Sequence, residues 1–308
     1  MISLKQIHYA LAVERHLHFK KAAEECNISQ SALSTALSEL EKQLGFQVFE
    51  RDNRKVLVTP LGEQVLERAR QIELQMEDLV KLAESTGEPL SSPLALGVIP
   101  TVGPYLLPRV LPTLQQQFPA LKLNIVEDQS AEVLDQLRRG ALDAAIIALP
   151  YDCEGLLTFP FWSEDLFWIV NRRDEAASHE VASVDDLSRS HLMLLKDGHC
   201  LTEHALSACK LESISPHSFS ATSLSTLIQL VVGNIGSTLV PQIALEQLVG
   251  SNEELATVPL EEPGPHRELA IAIRPNYPGM ANIEALLALF RRELGTELNG
   301  KSAGKVEI

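Results

Sequence analysis

The sequence predicts an α/β chain in two parts, a small helical head with a hairpin and a larger two-lobed α/β body, joined by one long helix. Three observations predict it. Residues 1–58 carry apolar positions at helical spacing in three short segments and then alternate apolar with basic residues. Val65, Ala69, Ile72, Met76, Leu79 and Ala83 repeat at steps of four and three. From Leu94 onward, apolar runs of strand length alternate with amphipathic segments of helix length, the pattern of strands joined by crossover helices. At 308 residues with 45% hydrophobic content, about two domains with real cores are expected.

Charge is unevenly placed. The chain carries a formal −15, yet residues 1–58 hold eight Lys and Arg against seven Asp and Glu, a net +1 that leaves −16 for the rest. A mildly basic head on an acidic body permits nucleic-acid binding at the head. The first twenty-five residues contain no continuous apolar core of signal-peptide length. The longest uncharged run, 227–245, is broken by Gly233, Gly236 and Pro241, so no membrane span is expected and the cytoplasm is the expected compartment.

In the head, Ile7, Ala10 and Leu11 share one face of a first helix, and Phe19, Ala22 and Ala23 share one face of a second. Ser29 is placed to cap the third. There Leu33, Leu37, Leu40 and Leu44 form the inward stripe. The opposite face carries Ser31, Thr35, Ser38 and Lys42, with Ser34 beside it and Gln30 at the start. Short polar side chains let such a helix lie deep in a major groove, and Gln30 has the paired donor and acceptor that read an adenine edge. Residues 46–58 then predict a hairpin wing whose Arg51, Arg54 and Lys55 reach phosphates. Thr59-Pro60 starts the linker helix, 59–86. Its heptad seam predicts a dimerisation helix, and the Gly- and Pro-containing stretch 87–93 predicts a hinge.

The body is read as strands and helices at 94–98, 104–117, 121–127, 131–140 and 144–148, then a second set at 166–170, 191–195, 201–209, 223–232 and 238–240. A strand at 269–273 and a helix at 281–293 return to the first lobe. The lobes are expected at about 94–163 with 269–296, and at about 164–268, in parallel sheets. The polar stretch 297–308 is expected to be disordered. Ligands of such folds sit at the carboxyl ends of strands.

Within the body lies Asp197-Gly198-His199-Cys200, with Cys209 nine positions on. A thiol reacts as its thiolate, favoured at a helix N-terminus or beside a cation. Cys200 is expected to begin a short helix over 201–208, with His199 and Lys196 as the nearest cations. Two readings stand: a redox pair in which Cys209 resolves an oxidised Cys200, or two small buried hydrophobes. An intact helix would hold the pair ~13 Å apart, whereas a disulfide needs Cα atoms within roughly 7 Å, so pairing requires unwinding. Thr101 and Ser130 follow strands at the crevice and offer two hydroxyls, with Arg267 or His199 as a cation, for a small oxygen-rich ligand; alternatively Thr101 and Ser130 cap helices and Arg267 pairs with a surface carboxylate. Cys26 and Cys153 are isolated, and no spacing suits a metal.

The residues Ala22-Ala23, Ser29 to Ser34, Leu40-Glu41, Leu44-Gly45, Phe49-Glu50-Arg51 and Thr59-Pro60-Leu61-Gly62 resemble the winged helix-turn-helix of LysR-type transcriptional regulators, departing at Ser31, where proline is usual. The body resembles the periplasmic-binding-protein-like effector domain of that family. Gly97 to Pro108, Asp197 to Leu201 with Cys209, and Ala221-Thr222-Ser223-Leu224 resemble its hydrogen-peroxide-sensing members. That resemblance implies Cys200 as peroxidatic and Cys209 as resolving cysteine, and Thr101, Ser130, His199 and Arg267 as the rest of the peroxide site. A histidine usual just before the Ala-Thr-Ser-Leu run is shifted to His217. It further implies a non-enzymatic activator of palindromic promoter sites in double-stranded DNA, acting with RNA polymerase, reset by a thiol reductant system, assembled as a homodimer or homotetramer, and using no cofactor or metal. The competing expectations are a LysR-type regulator of a small organic effector and a two-cysteine thiol peroxidase.

Overall fold

The structure, a computed structural model, describes residues 1–52, 55–84, 87–208 and 220–301. It divides into two units, Met1–Glu84 and Ser85–Ile308.

The first unit is built on three helices and a hairpin. A capping box between Ser3 and Gln6 starts α1 (Leu4–His16), and His18 caps α2 (Phe19–Glu25). Ser29 Oγ accepts from Ala32 N at 3.2 Å to start α3 (Gln30–Leu44). Gly45 ends α3 in the left-handed region at φ 82°, a conformation that costs a Cβ-bearing residue. Leu33, Leu37 and Leu40 are buried with Leu11, Val13, Phe19 and Phe49, each contributing about 1.5–3 kcal/mol by leaving water. The wing is shorter than the alternation suggested: β1 (Phe49–Asp52) pairs antiparallel with β2 (Lys55–Val58), and the stretch before Phe49 is not strand. Phe49 meets Phe19 edge to face at 6.3 Å, seating the wing on the helices.

The linker helix α4 (Pro60–Glu84) divides along its length. Leu66 and Ala69 are buried against α1, and Arg70 reaches Glu14 at 2.6 Å. Leu66, not Val65, supplies the first fully buried position. Further along, Ile72, Met76, Leu79, Val80 and Leu82 are exposed, so the second half of the seam is uncovered in a single chain.

The second unit holds two five-stranded sheets. Lobe I contains β3 (Leu94–Val98), α5 (Gly103–Gln117), β4 (Leu123–Glu127), α6 (Ser130–Arg138), β5 (Ala144–Leu149) and β6 (Leu157–Glu164). Lobe II contains β7 (Leu166–Asn171), α7 (Val184–Arg189), β8 (Leu192–Leu195), α8 (Cys200–Ala208), β9 (Ser220–Ala221), α9 (Leu224–Val232), β10 (Ser237–Pro241), α10 (Gln242–Leu248) and β11 (Leu255–Pro259). The strand β12 (Arg267–Ile273) and α11 (Met280–Lys301) return to lobe I. The orders are β4-β3-β5-β12-β6 and β11-β7-β10-β8-β9.

The expected parallel sheets are corrected here to mixed ones. β3 runs parallel to β4 and β5, but β12 is antiparallel to β5 and β6, and β7 is antiparallel to β10 and β11. The cause is the double crossing. β6 leaves lobe I and β12 comes back beside it, so Glu164 faces Arg267 at the point where both strands change lobes. Both strands take part in the first sheet, and β6, α7, β9, α10 and β11 were all absent from the sequence reading. α11 also runs on to Lys301, five residues into the stretch expected to be disordered.

Candidate thiol centre and nucleic-acid interface

Cys200 is the first residue of α8, which begins after a turn at Gly198. Gly198 has φ 96°, and a Cβ there would collide with the Gln129 side chain at the start of α6. Glycine is therefore what lets α8 of lobe II approach α6 of lobe I. Thr202 Oγ1 donates to Leu195 O at 3.0 Å, fastening the first turn of α8 to the end of β8. Cys200 itself is 2% exposed.

Four of the sequence-nominated residues lie with it, each buried: Thr101, Ser130, His199 and Arg267. The alternative roles for three of them fail. α5 takes Val102 and α6 takes Gln129 as N-cap, with no side-chain cap bond in either, so Thr101 and Ser130 keep their hydroxyls for the interior. The Ser130 hydroxyl hydrogen-bonds the Cys200 thiol. Arg267 Nη1 donates to Thr101 Oγ1 at 3.2 Å and Nη2 to Thr101 O at 3.3 Å. Arg267 does not pair at the surface: its Nε donates to Glu164 Oε1 at 2.7 Å, and both side chains are fully buried. Glu164 Oε2 accepts from Ile243 N at 2.7 Å in the first turn of α10. Residues from β6 and the turn after β3 in lobe I, with the N-terminus of α10 from lobe II behind Glu164, thus hold one guanidinium in a fixed place.

The electrostatics differ from expectation. Burial pushes the Cys200 thiol above its ordinary pKa. The Ser130 hydrogen bond and the Arg267 charge pull it down, and Glu203 pushes it further up. Desolvation is the largest influence because the charged form loses water at a site with almost no exposure. The cation acting on the thiol is Arg267. Lys196 is exposed, and burial lowers the His199 pKa, keeping that ring neutral. In this state Cys200 is a protonated thiol held by a hydroxyl and facing a guanidinium.

Two buried participants were missed by sequence reasoning. Glu164 carried no local signal, since its meaning depends on Arg267 a hundred residues away. His204 did carry one, sitting four residues after Cys200 and so on the same face of a helix. It is 2% exposed, and its Nε2 lies 2.8 Å from Pro150 O, at the end of β5 in lobe I. Cys209 and His217 lie outside the described residues. Ala208, which precedes Cys209, is eight helical steps from Cys200, ~12 Å at ~1.5 Å per step. One further residue spans about 3.8 Å, too little to bring two Cα atoms within roughly 7 Å, so a Cys200–Cys209 disulfide requires α8 to unwind.

In the first unit the polar face of α3 is as the spacing predicted. Gln30, Ser31, Thr35, Ser38 and Lys42 are exposed and Ser34 is half-buried. Thr35 Oγ1 donates to Ser31 O at 2.9 Å, which leaves its oxygen free to accept. Ser31 Oγ lies 3.1 Å from Ser29 Oγ, so the serine standing at the family's proline position joins the capping network. Lys55 is exposed on β2. Arg51 belongs to β1, and Arg54 lies outside the described residues.

A helix-turn-helix with a wing, a long linker helix and a two-lobed body crossed by two strands is therefore present in one chain. Residues 4–63 match the bacterial regulatory helix-turn-helix of the lysR family, and residues 87–295 match the LysR substrate binding domain. The chain belongs to the LysR family. This LysR-family protein is 38% identical over 296 residues to the HTH-type transcriptional regulator EstR of Acinetobacter baylyi, covering 96% of this chain and 98% of that one. It is 35% identical over 303 residues to a hydrogen peroxide-inducible genes activator of Dickeya chrysanthemi, covering 98% and 99%. Among solved structures it is similar to a full-length OxyR cysteine-to-aspartate variant from Pseudomonas aeruginosa, with a TM-score of 0.74, 31% identity, and coverage of 94% and 95%. Among the described residues no helix is long and apolar enough to cross a membrane.

Proposed function

We propose that this LysR-family protein is a peroxide-responsive transcriptional regulator. Hydrogen peroxide oxidises Cys200 to a sulfenic acid, Cys209 condenses with it, and the melted α8 alters the subunit surface and so the DNA contacts. The observation that carries this reading is the convergence of Thr101, Ser130, Cys200 and Arg267, from four separate segments, around one buried thiol. Peroxide has no carbon skeleton to recognise. A selective site can offer it hydroxyls, a thiol and a cation to stabilise the departing oxygen, and these groups supply all three. Relatives described as hydrogen peroxide-inducible genes activators along nearly the whole chain support the same reading.

The DNA face is Gln30, Ser31, Ser34, Thr35, Ser38 and Lys42 on α3, with Arg51, Arg54 and Lys55 of the wing on phosphates. The exposed half of the α4 seam supports dimerisation, which would set two recognition helices on a palindromic site. A homotetramer, contact with RNA polymerase, resetting by a cytoplasmic thiol reductant and absence of enzymatic turnover complete the proposal.

A second reading has an observation of its own. A buried thiol with a raised pKa is the state of an inert cysteine, which suits a regulator whose cleft takes a small organic effector. One titration separates the two. Reduced protein is treated with peroxide while Cys200–Cys209 connectivity and the DNA footprint are followed together. A disulfide and a footprint change that both vanish in Cys200→Ser are expected. A footprint indifferent to peroxide in the wild-type protein would favour the organic effector.

A further inference from the structure

The raised pKa of Cys200 poses a chemical question that the four nominated residues leave open. A protonated thiol must lose its proton before it attacks, and what faces it is the Ser130 hydroxyl as a hydrogen-bond donor and the positive charge of Arg267, whose own N–H groups are directed at Thr101 and Glu164. The thiol centre is rich in donors and needs an acceptor.

His204 supplies one. Its Nε2 lies 2.8 Å from Pro150 O. A carbonyl oxygen can only accept, so Nε2 carries the ring proton and the neutral tautomer leaves Nδ1 as a bare lone pair. That Nδ1 is fully buried, and it is the one buried side-chain acceptor without a hydrogen-bond partner among the described residues. An unsatisfied buried acceptor works against the fold, and such a position marks function when it occurs beside a reactive group. His204 stands one helical turn after Cys200, where Cβ atoms are about 5–6 Å apart, and the charge of Arg267 acts on both residues. Burial lowers the basicity of the ring, the Pro150 bond raises it and Arg267 lowers it. The net direction keeps the imidazole neutral and ready to accept.

We propose that His204 is a further catalytic residue of the thiol centre, anchored on Pro150 O through Nε2 and taking the Cys200 proton on Nδ1 through the bound hydroperoxide. The inference rests on the peroxide reading above. The thiol proton passes to Nδ1 as the thiolate sulfur forms a bond to the nearer peroxide oxygen and the O–O bond breaks. The departing oxygen leaves as hydroxide and takes the proton back from the imidazolium, giving water. Cys200 is oxidised to the sulfenic acid, peroxide is reduced, and His204 ends neutral, ready for the next cycle. Arg267 of β12 acts electrostatically on both Cys200 and His204, Glu203 of α8 acts on Cys200, and Tyr151 after β5 interacts with Cys200 and Glu203.

The test is the rate of Cys200 oxidation by hydrogen peroxide in the full chain, resolved by mass spectrometry of the Cys200 peptide, from pH 6 to 10. His204→Gln keeps an N–H for Pro150 O but has no base. It is expected to slow oxidation on the order of 10²-fold at pH 7 and to regain the wild-type rate at high pH, where hydroxide removes the thiol proton. A merely structural role would not restore the rate at high pH. Equal rates and equal pH profiles for wild type and His204→Gln overturn the proposal. So does a slowing that persists at every pH, or one seen in His204→Leu but not in His204→Gln, which would make the histidine an anchor only. A wild-type Cys200 that peroxide does not oxidise at all overturns the peroxide reading itself, an outcome distinct from the others.

Discussion

The polar face of α3, proposed to meet DNA, and the thiol centre around Cys200 use polar side chains in opposite ways. On α3 the working groups are exposed, and the leucines behind them hold the helix in place. At Cys200 the proposed working groups are themselves buried, so on that proposal Thr101, Ser130, His204, Glu164 and Arg267 are at once the chemistry and part of the core. The first arrangement separates stability from function. The second fuses them, because a buried charge or acceptor is tolerated only while its neighbours stay in place.

The difference predicts where single substitutions hurt. The largest effect is expected for Glu164→Ala, which leaves Arg267 buried without its carboxylate. A destabilisation of about 3–5 kcal/mol is expected, measurable by denaturant unfolding of the full chain; a loss under about 1 kcal/mol would mean that water reaches the guanidinium and the centre is not dry. Next comes a matched pair on α3. Leu37→Ala should cost about 2–5 kcal/mol. Thr35→Ala should change stability by no more than about 0.5 kcal/mol while removing discrimination between operator and random DNA in salt-matched binding assays. If Thr35→Ala unfolds the head, or leaves specificity intact, the separation of roles on this helix is wrong.

The smallest expected effect is on pH dependence. Burial lowers the pKa of both His199 and His204. The unfolded chain therefore takes up protons that the folded chain refuses once pH drops below the ordinary histidine value of about 6.5. Stability is fully present above that value and declines as pH falls toward the folded pKa values, by at most about 1.4 kcal/mol per pH unit for each histidine. The melting temperature should fall between pH 7 and 5, and His204→Gln should make that fall shallower. An unchanged slope would indicate that the ring is solvated when folded.

How much of this could be read in advance follows the same division. The head was legible almost residue by residue, because Leu33, Leu37, Leu40 and the Ser31–Thr35–Ser38 face obey a helical period within fifteen residues, and Ser29 and Gly45 mark its ends. The body was legible as alternating strands and helices, but its sheets were not. The return of a strand at 269–273 to the first lobe was expected, but its antiparallel direction beside β5 and β6 was not, because no local pattern encodes the direction in which a strand recrosses between lobes. The segments missed outright, β6, α7, β9, α10 and β11, are short or held by neighbours from other parts of the chain.

For the thiol centre, the sequence by itself determined the ingredients: Cys200 at a helix start with His199 before it and Cys209 nine residues on, and Thr101, Ser130 and Arg267 at their several places in the chain. The tertiary structure decided the chemistry. The sequence reading expected a helix terminus with Lys196 and His199 to acidify the thiol, and the fold instead buried Cys200, faced it with Arg267 and raised its pKa. It fixed the His204 tautomer with a carbonyl fifty-four residues away. The physical reason is that period and capping are short-range properties of a chain, while the energy of a charge depends on how much water its neighbours exclude, and those neighbours are chosen only when the lobes pack.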